Sequence, residues 1–193
     1  MKRVALFGGS FNPIHKGHLA LAKELCDKEE LDEFWFMVSP MNPFKQNMEL
    51  LDDNTRLELV RLAIADDARL VACDFEFSLP RPSYTYHTLQ ALKEAFPDTQ
   101  FILIIGGDNW VKFPHWYKSK EILEMVDVWV YPRPGYNTAP ITFLEHVRQI
   151  SAPLFNYSST DVRAAIKAHQ DASDMLPAAV WEKIKEEHIY CED

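Results

Sequence analysis

Val4-Ala5-Leu6-Phe7-Gly8-Gly9-Ser10-Phe11-Asn12-Pro13-Ile14-His15-Lys16-Gly17-His18 is the stretch from which the rest of the chain is read. Its apolar residues make a short strand, the two glycines turn the chain, and Leu19-Ala20-Leu21-Ala22 beyond it continues in a helical pattern. A strand, a glycine turn and a helix start together present backbone N–H groups that favour an anion. His15 and His18 stand at i, i+3, so both rings lie on one side of a helical turn and can donate to that anion. Pro13 suits the entry, because a missing N–H costs nothing before or at a helix start. The stretch lacks the Gly-Lys-Ser/Thr ending of a Walker A loop and the spacing G-x-G-x-x-G. A zinc pair would need a third or fourth ligand, and no nearby Cys or carboxylate is spaced to supply one. A plain structural turn is the competing interpretation.

The 193 residues are expected to form one domain, 1–193, long enough to bury a substantial core. Hydrophobic content of 47% with 25% charged residues is ordinary globular usage. The formal net charge of −9 argues against a nucleic-acid binder, which would carry a basic face. An anionic small substrate is still compatible, since a local cluster of donors overrides the global sign. The apolar run after Lys2-Arg3 is too short for a signal peptide, and no stretch approaches the roughly 20 apolar residues of a membrane span. Cys26, Cys73 and Cys191 are odd in number and widely spaced, which reads as reduced thiols and a cytoplasmic location.

Along the chain, Phe34 to Val38 and Phe101 to Ile105 are near-continuous apolar runs, the pattern of strands covered on both faces. Leu70 to Phe77, Val128 to Tyr131 and Pro153 to Tyr157 are further candidate strands, with Asp74 and Glu76 marking an exposed end or edge. A proline-punctuated loop, about 40–54 and with Lys45 near its centre, is a candidate lid. Helices are expected after a Thr55/Glu58 capping box, from Ser83 to about Phe96, over Trp116 to Met125, and over Phe143 to Gln149. Two more follow in a C-terminal helical part, about 158–190: one opens on a Ser158/Asp161 capping box and one has Pro177 at N1. Alternating strands and helices predict an α/β fold, a Rossmann-like doubly wound parallel sheet with helices on both faces. In such sheets ligands bind beyond the carboxyl ends of the strands, where the glycine turn, Asp108, Arg133 and Ser158 all fall.

The pattern G-x-F-x-P-x-H-x-G-H resembles the nucleotidyltransferase superfamily. In order after it come Pro82-Ser83-Tyr84-Thr85 with Thr88-Leu89, Gly106-Gly107-Asp108 with Pro114 and Trp116, Arg133-Pro134-Gly135, and Ser158-Ser159-Thr160-Asp161-Val162-Arg163. With these the chain is similar, over nearly its whole length, to the bacterial nicotinate-nucleotide adenylyltransferases. That resemblance implies transfer of the adenylyl group of ATP to nicotinate mononucleotide, giving deamido-NAD and pyrophosphate in NAD biosynthesis. It implies catalytic roles for His15, His18, Lys45 and Arg163, and ATP contacts from Gly8, Gly9, Ser10, Phe11, His15, His18, Gly106, Asp108, Arg133, Ser158, Ser159, Thr160 and Arg163. Ser83, Tyr84, Thr85, Trp116, Tyr117 and Arg133 would hold the nicotinate nucleotide, with Trp116 rather than Trp110 stacking on its base. The family usually has Thr and Asp where Ser10 and Asn12 stand, Ile at Tyr157, and Pro-His-Lys where Pro43-Phe44-Lys45 stands.

The chemistry agrees with the residue types. A phosphate monoester has its second pKa near ~6, so the acceptor is already mostly dianionic at neutral pH and needs no general base. Alignment of the two phosphates and positive charge around the developing pyrophosphate are what remain to be supplied. Magnesium would ride on the ATP phosphates and water, with no metal site of the protein's own. Expected partners are ATP and nicotinate mononucleotide, without nucleic acid or membrane; a homo-oligomer is left open. Lys45, Arg133 and Arg163 have a simpler alternative as solvated or ion-paired residues, Ser158 and Asp108 as caps, and His87, His115, His146, His169 and His188 are set aside as structural or solvent-exposed. Alternatives for the whole chain are a related adenylyltransferase using nicotinamide mononucleotide or another phosphate-bearing acceptor, and a non-catalytic nucleotide-binding sensor.

Overall fold

The computed structural model describes residues 1–40, 50–136 and 145–191. Among these, six strands form one wholly parallel sheet: β1 (Lys2–Gly9), β2 (Glu33–Val38), β3 (Leu70–Cys73), β4 (Thr99–Gly106), β5 (Asp127–Tyr131) and β6 (Val147–Gln149). Their spatial order is β3-β2-β1-β4-β5-β6, so the winding reverses between β1 and β4. The helices are α1 (Lys16–Lys28), α2 (Asp53–Ala63), α3 (Thr85–Ala95), α4 (Gly107–Lys112), α5 (Ser119–Met125), α6 (Ser159–Lys167) and α7 (Ala178–Glu186). The doubly wound α/β sheet expected from the alternation is what the chain adopts.

Successive side chains of a strand point to opposite faces, and this divides the core in two. Ala5, Phe7, Phe34, Phe36, Ile102 and Ile104 face a layer built by α1, α2, α6 and α7. Val4, Leu6, Trp35, Met37, Leu103 and Ile105 face the other way, toward α3 and α5. Because both faces are covered, β1 and β4 need apolar residues at every central position, which explains their unbroken runs.

The structure corrects several local expectations. The cap of α2 is Asp52, whose Oδ1 accepts the Thr55 N–H at 3.0 Å, so the helix starts before the Thr55/Glu58 pair and takes in residues 53 and 54 of the expected loop. Residues 41–49 of that loop, Lys45 included, lie outside the described residues. The expected strand Leu70 to Phe77 stops at Cys73, and Phe75–Ser78 forms a 3-10 turn that carries Glu76 inward while Asp74 stays exposed. Trp116 does not open a helix. Instead α4 follows β4 directly, Pro114 breaks it into the 3-10 turn Phe113–His115, and α5 starts at Ser119. Val147–Gln149 is strand rather than helix, because β-branched Val147 pairs with Val128 along the open edge of β5. Residues 153–157 form no strand: Pro153 has no N–H to give a ladder. Pro177 occupies the N-cap of α7, one position before N1.

Candidate active site

At the carboxyl end of β1 the chain passes through Gly8 and Gly9 and enters α1 with His15 as its N-cap. The His15 N–H donates to His18 Nδ1 at 3.2 Å, which makes that nitrogen an acceptor and puts the proton of the neutral ring on Nε2. The two imidazoles stack with centroids 3.6 Å apart and 18° between their planes. His15 is 3% exposed. Burial, seconded by the Arg133 charge and opposed by Asp161, lowers its pKa to about 4. His15 is therefore neutral at physiological pH, and the stack does not juxtapose two cations. Its Nδ1 is buried with no hydrogen-bond partner, as expected of a group that meets a ligand.

Around this pair a narrow recess is closed by Tyr131, Arg133, Phe155 and Tyr157. Arg133 donates from Nη2 to Tyr131 Oη at 3.1 Å and lies over that ring, while its Nε stands 3.7 Å from Asp108 Oδ1. That separation leaves both the Nε and the Oδ1 buried without a hydrogen-bond partner. Gly106 makes room for them, since a Cβ there would come within 2.5 Å of Asp108 Oδ1. The start of α6 joins from the far end of the chain. Ser158 and Asp161 form the expected capping box: the carboxylate accepts the Ser158 N–H at 2.7 Å and its hydroxyl at 2.6 Å. Ser159 Oγ donates to Pro13 O at 2.8 Å and Arg163 Nη1 to Asn12 O at 2.7 Å. Two helix N-termini thus meet at one turn; at α1 the Lys16 N–H is taken by Met175 O at 2.9 Å and the His18 N–H by His15 O at 3.0 Å, while the partial positive charges of the two helix starts add toward an anion.

A larger cavity of about 420 Å³ opens beside the recess, and Phe7 lines both. Gly8 and Gly9, Ser83, Thr85, Trp116 and Tyr117 contribute to its walls. At Gly8 a Cβ would meet nothing, so a ligand can approach the backbone. At Gly9 it would lie 2.9 Å from the Phe11 ring, which packs across the turn against Phe7 and Phe36. Ser83 Oγ and Trp116 Nε1 are buried there without a hydrogen-bond partner. The volume and the few polar groups set in apolar walls are those of a small-molecule site.

The chain matches the cytidylyltransferase-like family over residues 6–165. It is 49% identical to the probable nicotinate-nucleotide adenylyltransferase of Bacteroides thetaiotaomicron, covering 95% of this chain and 91% of that protein. It is 39% identical to the corresponding protein of Cytophaga hutchinsonii, covering 97% and 98%. The Plasmodium falciparum nicotinic acid mononucleotide adenylyltransferase, solved in complex with NaAD, shares the fold with a TM-score of 0.84 at 18% identity over 98% of each chain. This chain belongs to the nicotinate-nucleotide adenylyltransferase family.

In this adenylyltransferase-family chain the residues singled out from the sequence fall into two groups. His15, His18 and Arg133 line the recess, with Gly106 and Asp108 behind Arg133 and Ser158, Ser159, Thr160 and Arg163 at the α6 start. Gly8, Gly9, Ser83, Tyr84, Thr85, Trp116 and Tyr117 line the cavity, and Trp110, which stacks on Phe113, does not. Arg133, expected at both nucleotides, lies in the recess and not along the cavity. The Phe11 ring is 2% exposed and turned into the core, so any ligand contact there comes from its backbone. Arg163 holds Asn12 O and, at 3.3 Å, Thr160 Oγ1, which makes it a clasp on the motif turn.

Other residues were missed. His115, set aside in the sequence, lines the cavity together with Glu76, Thr88 and Asn109. Arg56 is fully buried: it donates to Leu51 O at 3.0 Å, Ser10 O at 2.6 Å, Ser39 O at 3.1 Å and Asp53 Oδ1 at 2.6 Å. It thereby ties the glycine turn to both flanks of residues 41–49. Near the C-terminus Tyr190 Oη donates to Asn12 Oδ1 at 2.8 Å. For Arg56 the one signal is a polar side chain on an otherwise apolar helix face, and it does not say what the side chain reaches.

Proposed function

We propose that this chain transfers the adenylyl group of ATP to nicotinate mononucleotide, giving deamido-NAD and pyrophosphate. The observation that carries the reading is the pair of adjoining compartments at the sheet's reversal point, an anion-binding recess and an apolar cavity of about 420 Å³ sharing Phe7. The names of its relatives, at 49% and 39% identity, support it. The cavity takes the pyridine ribotide and the recess takes the phosphates. The acceptor phosphate, dianionic at neutral pH, attacks the α-phosphorus with one oxygen. The bond from that phosphorus to the bridging oxygen of the β-phosphate breaks, and pyrophosphate leaves with the electron pair. No proton has to be removed, which suits a site whose buried histidine is neutral.

His18 Nε2–H, His15 and the N–H groups of α1 and α6 donate to oxygens whose charge grows in the transition state. Arg133 adds fixed positive charge beside them. Among the described residues no three His, Cys, Asp or Glu side chains are grouped to cage a metal ion. Magnesium would come with the phosphates of ATP as part of the substrate, where it would neutralise part of their charge. No described helix is long and apolar enough to cross a membrane, and Cys26, Cys73 and Cys191 are free thiols, which supports a cytoplasmic setting.

The decisive measurement is kcat/KM for nicotinate mononucleotide and for its nicotinamide analogue, followed by pyrophosphate release under the same ATP and magnesium. Trp116 offers its face to either cationic ring, so discrimination must come from the carboxylate. Donors at the α3 start, with the partnerless Ser83 hydroxyl and Trp116 indole N–H, suit a carboxylate and are left unpaired by an amide's NH₂. A preference of ~10⁴ or more is expected for a site built on polar contacts. Comparable values would replace the assignment with a dual-specificity enzyme, and no pyrophosphate with either would favour a nucleotide sensor.

A further inference from the structure

Among the described residues lining the cavity one carboxyl stands out, Glu76, and the chemistry above makes no use of it. It is 6% exposed and sits on the 3-10 turn after β3. The Ser39 hydroxyl donates to one of its oxygens, and Thr88 Oγ1 donates to the other at 2.7 Å. No Lys or Arg pairs with it among the described residues. A buried carboxylate without a cation is costly. Burial accordingly raises its pKa, even against the two hydroxyl donors. A positive charge brought into the same cavity reverses that balance and favours the ionised form.

Resting on the assignment of this cavity to the base of the acceptor, we infer that Glu76 is a specificity-determining residue that supplies the counter-charge for a pyridinium ring. It selects acceptors whose base is cationic over neutral rings of the same shape. Among the described residues no cation pairs with the carboxyl, and the ligand brings one. The same charge repels the acceptor's own carboxylate and steers it toward Ser83 and Trp116, whose Oγ and Nε1 have no hydrogen-bond partner among the described residues. Ser39 and Thr88 hold the carboxyl in place, one from the end of β2 and one from α3, so its position is fixed before the ligand arrives.

The test compares nicotinate mononucleotide with its neutral isostere, the 3-carboxyphenyl ribotide with carbon in place of the ring nitrogen. The wild-type protein is expected to favour the cationic acceptor in kcat/KM. Glu76→Gln, which keeps the shape and removes the charge, should lower that ratio about tenfold, the size of one partly screened charge contact. The loss should fall on the cationic acceptor alone, with KM for ATP unchanged. Glu76→Asp, carrying the charge one methylene shorter, should keep an intermediate ratio and serves where the Gln variant does not fold. A wild-type ratio near one overturns the inference. So does a folded variant of either kind that loses both acceptors equally, because that is the mark of a purely structural carboxyl. Failure of the functional reading is distinct: wild-type protein would release no pyrophosphate from ATP and nicotinate mononucleotide at all.

Discussion

The recess and the cavity are neighbours with opposite construction. In the recess the paired groups are held by backbone or by residues three apart, as with His15 N–H to His18, Ser158 to Asp161 and Arg163 to Asn12 O, while His15 Nδ1, Arg133 Nε and Asp108 Oδ1 are left to a ligand in the proposed reading. In the cavity the polar groups are held by side chains from distant segments, as Glu76 is by Ser39 and Thr88, or have no partner, as with Ser83 and Trp116. The difference follows from what each binds. A phosphate meets any set of aligned N–H donors, which a helix start provides without choosing a ligand. A heterocycle has to be told from others, and that requires particular side chains at particular places. On the proposed function, the recess would supply rate and the cavity choice.

That division can be broken most directly at His18. Replacing it with Ala should lower kcat by roughly 10²–10³, the usual cost of one donor to developing charge, and leave acceptor preference unaltered. A folded variant with near-normal turnover removes this ring from the chemistry, and one with altered preference denies that rate and choice are separate.

The next test reads stability. His15 takes up a proton near pH 6.5 when unfolded and only near about 4 when folded. As pH falls between those values the unfolded state binds the extra proton, so stability declines through this window and levels off below it. The loss is on the order of 3 kcal/mol for a shift of that size. Urea titrations at pH 7 and pH 4.5 should show it, and His15→Gln should flatten the difference. An equally steep decline in that variant would mean the acid sensitivity lies elsewhere.

The smallest effect expected is that of Tyr190→Phe, which removes only the hydroxyl donated to Asn12 Oδ1 at 2.8 Å. Loss of one such hydrogen bond costs about 1 kcal/mol, a shift of a few degrees in Tm. The preference for nicotinate over nicotinamide should be untouched, because Asn12 belongs to the motif turn and not to the cavity wall. A change in preference would show that the two compartments are coupled through the turn.

Legibility in the sequence follows the same line. The glycine turn, the histidine pair and the Ser158/Asp161 box could be read because each is complete within a few residues. Glu76 could not: alternation with Asp74 suggested a strand edge, and burial reversed it once the chain curled into a 3-10 turn against α3. Arg56 stands on the buried face of α2 with Leu59, Val60 and Ala63, where sequence spacing names no partner for a charge. Four carbonyl and carboxylate oxygens, three of them from before the helix, are what make a fully buried guanidinium tolerable.

By itself the sequence determined the parallel α/β sheet, the capped start of α6 and the family, because hydrophobic period, turn residues and caps act over short range. Only the tertiary structure decided that α6 closes on the first motif, that Arg133 lines the recess and not the cavity, and that a carboxyl with no ion pair among the described residues lines the cavity. Those facts depend on which distant segments the winding of the sheet sets side by side. A hydrogen bond or a buried charge takes its energy from its neighbours in space, and spacing along the chain does not report them.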